Sequence, residues 1–171
     1  AAMLFGRLEP GGIINLVPKR PLDVPYASIQ EQFGSWGLSR TTIDSTGPVT
    51  PDKTWLYRVN LDYTRADSFT DFVNTKNFFV APTISWRPDN QFRFNLDVEY
   101  QKSSFVDNSL GIPAVGTRPA DVPISRYLQA PALTVVNPNQ QERELVGFDW
   151  TYDFNKDWSI TNRFAINNQE Y

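Results

Sequence analysis

From Phe92 to Gln101 the chain alternates without exception. Phe92, Phe94, Leu96, Val98 and Tyr100 are apolar or aromatic, while Arg93, Asn95, Asp97, Glu99 and Gln101 between them are polar. Successive side chains of a strand point to opposite sides, so this period of two describes a strand with one apolar and one polar face. The pattern recurs. Trp55, Tyr57, Val59, Leu61 and Tyr63 alternate with Leu56, Arg58, Asn60, Asp62 and Thr64. Val146, Phe148, Trp150, Tyr152 and Phe154 alternate with Gly147, Asp149, Thr151 and Asp153. Trp158, Ile160, Phe164 and Ile166 share one face, and Ser159, Thr161, Arg163 and Asn167 the other. Phe78, Val80, Ile84 and Trp86 make a further strand, in which Pro82 cannot donate to a ladder and implies a bulge or a local gap. Weaker strands are expected over about 26–34 and 38–46, for a total of about seven.

Composition narrows what such strands can serve. Aromatics are 14% of the 171 residues, which favours a pleated surface. There is no Cys and no His, which removes disulfides, thiolate metal sites and the commonest nucleophiles and bases. No metal site and no catalytic residue is expected. The net charge is −3 with scattered Lys and Arg, so no nucleic-acid partner is indicated. No apolar run is long enough for a transmembrane helix. A transmembrane barrel hides its lipid face in alternate residues, so the mean hydropathy of −0.41 does not bear on it. The N-terminus lacks signal-peptide features and the C-terminus stops within an apparent strand, so the chain reads as a piece.

The connections are unequal. Thr50–Lys53, Pro88–Asn90 and Asn155–Asp157 are short turns, whereas Phe69–Lys76 is moderate and Phe105–Arg143 is very long, with several prolines and no clear periodicity. Ser35-Trp36-Gly37 is short although it falls on the long side. Short turns alternating with long loops are characteristic of outer-membrane barrels. Trp55, Trp86 and Trp158 flank the short turns and are expected at one level. Tyr63, Phe78 and Tyr100 lie eight residues along from Trp55, Trp86 and Phe92. Eight residues span roughly 26 Å, or roughly 20 Å of height on a strand tilted by about 40°, near the apolar band between two aromatic girdles. A soluble sandwich produces the same alternation, so the pattern alone leaves a secreted carbohydrate-binding β-sandwich open.

The inward polar residues Arg58, Asp62, Arg93, Asp97, Glu99, Asp149 and Arg163 carry both signs on neighbouring strands. Cross-strand pairing is their plain reading; contact with something inside the barrel is the functional one. Asp97 and Glu99 share a face, yet among arginines they read as lining rather than as a glycosidase pair.

The N-terminal segment differs. Pro10-Gly11 is a turn dipeptide, Ile13–Val17 is a short apolar run, and Pro18-Lys19-Arg20-Pro21 stops it. Leu4-Phe5-Gly6, Pro10-Gly11-Gly12, Ile14-Asn15 and Lys19-Arg20-Pro21 occur in the order and spacing that end the plug domain of TonB-dependent siderophore receptors, and the chain resembles that family. Phe5 stands where Tyr is usual, and Pro18 where Ser or Thr is usual. Asp44 through Gly47-Pro48-Val49, Tyr57-Arg58 and Ala81–Trp86 resemble the family's first barrel strands.

The resemblance implies an all-β fold, an antiparallel transmembrane β-barrel represented here by about seven strands of the family's 22. Residues 1–21 would end the plug, with Gly6, Pro10, Gly11, Gly12 and Asn15 as its motif residues, and 22–171 would begin the barrel. It implies active import of ferric siderophore across the bacterial outer membrane, with outer-membrane lipid around the barrel. The TonB complex would engage a part of the receptor N-terminal to these residues. Iron would be carried by the siderophore rather than ligated by protein, so no cofactor is expected. Phe105, Arg118, Arg126 and Tyr127 on the long loop are the expected substrate contacts, being types that meet an anionic or aromatic chelate. A passive porin-type channel is the alternative within membranes. The class of siderophore is not readable, and heme, cobalamin or an oligosaccharide is left open as the cargo of a related receptor.

Overall fold

The computed structural model describes residues 17–171. The expected plug-motif residues Gly6, Pro10, Gly11, Gly12 and Asn15 lie outside the described residues.

The described residues form nine strands: β1 (Tyr26–Phe33), β2 (Ser39–Pro48), β3 (Trp55–Asp67), β4 (Asn74–Trp86), β5 (Phe92–Phe105), β6 (Ala114–Val115), β7 (Arg118–Pro119), β8 (Asn139–Asp153) and β9 (Ser159–Glu170). One helical turn, α1 (Pro131–Thr134), precedes β8. Seven strands form one antiparallel sheet in the order β1-β2-β3-β4-β5-β8-β9. The sheet is open among the described residues, because β1 and β9 are not paired with each other. Each neighbour in it is either the next strand in sequence or is reached across the long loop, as expected of a meander.

The register gathers the alternating aromatic and aliphatic positions on one face, with Leu56, Phe79, Phe105 and Leu145 as exceptions on the other. Trp55 faces Trp86, Tyr63 faces Phe78, and Trp86 faces Phe94. Phe94 faces Trp150, and Phe148 faces Phe164. Trp55 and Trp86 stack at 5.7 Å between ring centroids, and Phe92 meets Trp86 edge-on at 5.6 Å. Such pairs contribute about 0.5–1.5 kcal/mol each beyond burial. Trp158 does not share the Trp55–Trp86 row. Asn162 faces Trp150, so Trp158 lies four positions earlier on its strand. A barrel's tilted strands require such a stagger to keep one height.

The two faces differ in burial in an unusual sense. Apart from two glycines, the buried positions of the sheet are Leu56, Thr46, Ser85, Thr83 and Asp97, all on the polar face. The apolar face is open: Trp55 is 41% exposed, Phe164 54% and Ile166 61%. A soluble sandwich buries its apolar face, and this sheet exposes it.

Pro82 makes a gap rather than a bulge. β4 pairs with β5 on both sides of Ala81-Pro82 in one unshifted register, while those two residues lack partners on β5. The long loop is shorter and more structured than its sequence suggested, because β5 continues to Phe105 and β8 begins at Asn139. Within it, β6 and β7 form a hairpin closed by Gly116 at φ 65°. Two-residue strands are too short to leave a periodic signal.

Candidate functional site

The polar face carries a bound segment. Residues 19–22 run across it, tied by side chains from four strands, β2, β3, β5 and β8. Arg20 Nη1 donates to both Asp97 oxygens at 2.9 and 3.2 Å, and Arg20 Nη2 donates to Asp149 Oδ1. Arg58 Nη1 donates to the Arg20 carbonyl at 2.9 Å. The Leu22 N–H donates to Thr46 Oγ1 at 2.9 Å, and Lys19 Nζ reaches Asp44 at 3.0 Å. Pro21 is buried between these anchors.

Each anchor is itself held. Arg58 binds Asp44 bidentately at 2.9 and 2.7 Å, with both side chains almost fully buried. The two-pronged geometry fixes the guanidinium plane as well as neutralising the carboxylate. Asp97 accepts from Thr83 Oγ1 at 2.8 Å. Asp149 accepts from Asn95 Nδ2 at 2.7 Å, and Asn95 in turn accepts from Ser85 at 2.6 Å. These residues alternate with aromatics along β3, β4, β5 and β8, so the period that aims the aromatics outward aims the anchors inward.

Of the inward polar residues singled out from sequence, Arg58, Asp97 and Asp149 touch this segment. Asp62, Arg93 and Glu99 pair between strands, with Arg40, Asp153 and Arg143 respectively, while Arg163 on β9 is exposed and joins no ion pair among the described residues. Asp97 and Glu99 therefore engage different cations. Arg20 was quoted within a motif, but its role as the anchor was not read from sequence. The signal was present: a Lys-Arg pair between prolines, in a chain whose strands carry several inward carboxylates.

Nearer the long loops, Gln32, Arg40, Asp62, Asn77, Phe79 and Gln101 line an open groove of about 530 Å³ on the same face. The loop residues lie beyond it. Phe105 ends β5 on the polar face, half exposed. Arg118 on β7 and Arg126 are exposed, and neither joins an ion pair among the described residues. Tyr127 is buried, its hydroxyl donating to the Asp107 carbonyl at 2.9 Å and touching Thr134 Oγ1. Its ring meets Phe72 edge-on at 6.2 Å. The Asp71 N–H donates to the Ser125 carbonyl at 2.8 Å, so the long loop folds back on the β3–β4 connection. The four expected contact residues thus lie at or beyond the loop end of β5, with Tyr127 buried in the loop and the two arginines exposed. No cluster of His, Cys, Asp and Glu that could hold a metal occurs among the described residues.

No protein-family model matches the chain. It is similar to the metal-pseudopaline receptor CntO of Pseudomonas aeruginosa, 29% identical over 160 residues, or 94% of this chain and 22% of that protein. The ferrichrome outer membrane transporter/phage receptor of Escherichia coli is 25% identical over 170 residues, 97% of this chain and 23% of that protein. Among solved structures, the ferric-catecholate import receptor Fiu of Escherichia coli superposes with a TM-score of 0.75 at 21% identity, covering 98% of this chain and 25% of that one. FpvAI, in its complex with pyocin S2, superposes with a TM-score of 0.76 at 18% identity, covering 87% of this chain and 20% of that one. The chain spans less than a quarter of the length of the curated relatives it matches. The exposed aromatic face, the staggered girdles and these likenesses agree: the chain has the fold of a segment of an outer-membrane receptor β-barrel and is similar to the TonB-dependent siderophore receptors.

Proposed function

We propose that this chain is part of a receptor that imports a ferric siderophore, or a similar metal chelate, across the outer membrane by TonB-driven transport. In this reading residues 1–21 end a plug and 22–171 begin the barrel. One observation carries it: the segment around Arg20 lies on the barrel's inward face, pinned to Asp97 and Asp149. A passive pore has no use for a segment fixed across its wall, whereas a gated receptor needs one. The relatives' names point to chelate cargo: metal-pseudopaline, ferrichrome and ferrioxamine. The iron needs no protein ligand here, since the chelator supplies its coordination. Phe105, Arg118 and Arg126 remain the residues proposed to meet the chelate, and Tyr127 is proposed to hold the loop that presents them.

The test is uptake of radiolabelled iron as ferrichrome and as ferrioxamine B by cells whose only siderophore receptor is the complete protein. Saturable uptake that stops on adding an uncoupler, or on deleting TonB, supports the reading. Flux that rises in proportion to concentration and ignores both treatments points to the passive channel.

A further inference from the structure

Arg163 on β9 stands directly opposite Asp149 on β8, on the same inward face. Directly opposite Cβ atoms are about 4.5–5.5 Å apart, and an arginine side chain reaches across that distance. Arg163 is nevertheless exposed and joins no ion pair among the described residues. Asp149 is already occupied. Its Oδ1 accepts from Arg20 Nη2, and its Oδ2 accepts from Asn95 Nδ2 at 2.7 Å. Two cations are thus within reach of this carboxylate. The one that belongs to the wall stands aside, and the one from residues 19–22 holds it.

The other groups that hold residues 19–22 have different neighbours. Asp44 keeps Arg58 whether or not Lys19 is present. Thr46 Oγ1 donates to the Tyr57 carbonyl at 2.8 Å, independently of Leu22. Asp97 faces Thr83 and Gly147, neither of them charged, and apart from Arg20 it has only the Thr83 hydroxyl. Removing one partner of a buried ion pair is costly chiefly because it leaves an uncompensated charge. Departure of Arg20 would leave two such carboxylates, Asp97 and Asp149. Arg163 is placed to compensate the second. Asp97 is left without a cation, and its charge draws Arg20 back.

We propose that Arg163 is the stand-in for Arg20: it takes over Asp149 Oδ1 when residues 19–22 leave the barrel wall, and yields it when they return. This rests on the reading of residues 1–21 as the end of a plug that moves against the barrel. The exchange lowers the cost of release while leaving the held state intact, because Arg163 makes no bond there. Arg163 is a positioning residue that sets the balance between the held and the released segment.

The complete receptor, without siderophore, gives two readouts. The first is the structure of the Arg20→Ala receptor. The Arg163 guanidinium should lie about 2.7–2.9 Å from Asp149 Oδ1. An Arg163 still turned to solvent, with Asp149 bound by Asn95 alone, overturns the proposal. The second is hydrogen exchange at the Leu22 amide, which opens when the segment leaves Thr46. Arg163→Gln should slow that exchange about fivefold, the equivalent of about 1 kcal/mol for a pair lost from the released state. In an Asp149→Asn background the same substitution should change nothing, since the carboxylate it serves is gone. Unchanged exchange in Arg163→Gln overturns the proposal. So does equal slowing in the Asp149→Asn background, which would mean that Arg163 merely repels Arg20. Should Arg20→Ala not fold, the exchange comparison decides alone. Neither readout uses a chelate, an energy source or TonB, so the uptake assay judges the import reading separately.

Discussion

Arg20 joins two strands that are neighbours only across the long loop: its Nη1 lies 2.9 Å from Asp97 on β5, and its Nη2 donates to Asp149 on β8. The two carboxylates are diagonal neighbours on one face, since Asp97 faces Gly147 and Asp149 faces Asn95. Left alone they would repel. A planar guanidinium with donors on both prongs bridges the pair, offsets their repulsion and fixes its own orientation, which a lysine cannot do. The wall of the barrel and the segment inside it are thus made for each other by charge.

Arg20→Ala should release the segment without unfolding the sheet. Removing one partner of a buried ion pair costs about 3–5 kcal/mol; the Arg20 side chain is 37% exposed, so screening reduces the expectation to about 2 kcal/mol. The Leu22 N–H, which donates to Thr46, should then exchange faster with solvent. Hydrogen exchange on residues 17–25 of the complete receptor measures this, and unchanged protection at Leu22 would mean that Arg20 does not hold the segment.

The gap at Pro82 gives a sharper test of how the sheet is assembled. Pro82 lacks an N–H and leaves the ladder to β5 open opposite Val98-Glu99, yet the register on either side is the same. Pro82→Val should close the gap with one added ladder bond, stabilising the protein by about 1 kcal/mol. The amides around Val98 should become better protected and strand pairing should not move. A shift in cross-strand register, seen by paired-cysteine crosslinking between β4 and β5, would show that the proline sets the register.

How far the fold was legible follows from the periodicity itself. The strands around Phe92 and Trp150 were plain because every position obeyed the alternation, and a period of two admits one structure. The first two strands were fainter, because Ser45 and Gly47 fall on the outward face opposite Val59 and Tyr57. The ends of β5 and β8 were missed for a similar reason. Beyond Tyr100 the outward positions turn to Lys102 and Ser104, and before Val146 to Glu144 and Glu142, so alternation of polarity stops where pairing continues. The Arg20 anchor was hidden because its partners lie 77 and 129 residues away, and no local pattern encodes such a distance. Tyr127 read as a ligand contact from its type alone, whereas its burial depends on Asp107 and Thr134 folding over it.

The turn between β2 and β3 should respond to acid through Asp52. Hydrogen bonds from the Thr50 and Thr54 side chains and from the Thr54 N–H hold its carboxyl below the usual carboxylate value of 3.8. A group whose folded pKa is depressed stabilises above its unfolded pKa, and that contribution is lost as pH falls through the folded value. The Thr54 amide shift should therefore be flat at neutral pH and titrate with a midpoint below 3.8. Asp52→Asn should abolish that titration. A midpoint at or above 3.8 in the wild-type protein would mean that the carboxylate is not engaged by the turn.

The long loop should depend on the Tyr127 hydroxyl for its order rather than for its ligand. Tyr127→Phe removes the bond to the Asp107 carbonyl and the contact with Thr134, at a cost of about 1 kcal/mol. Tyr127→Ala also forfeits the edge contact with Phe72 and the buried ring, for about 3 kcal/mol. Both variants should raise amide exchange across residues 106–138, the alanine more than the phenylalanine. Because the hydroxyl is turned into the loop, Tyr127→Phe should leave the affinity for the transported chelate near that of the wild type. Arg126→Ala, which removes an exposed guanidinium and no internal bond of the side chain, should do the reverse: exchange unchanged and affinity lower. If Tyr127→Phe lowers affinity while the loop amides stay protected, the hydroxyl itself meets the chelate.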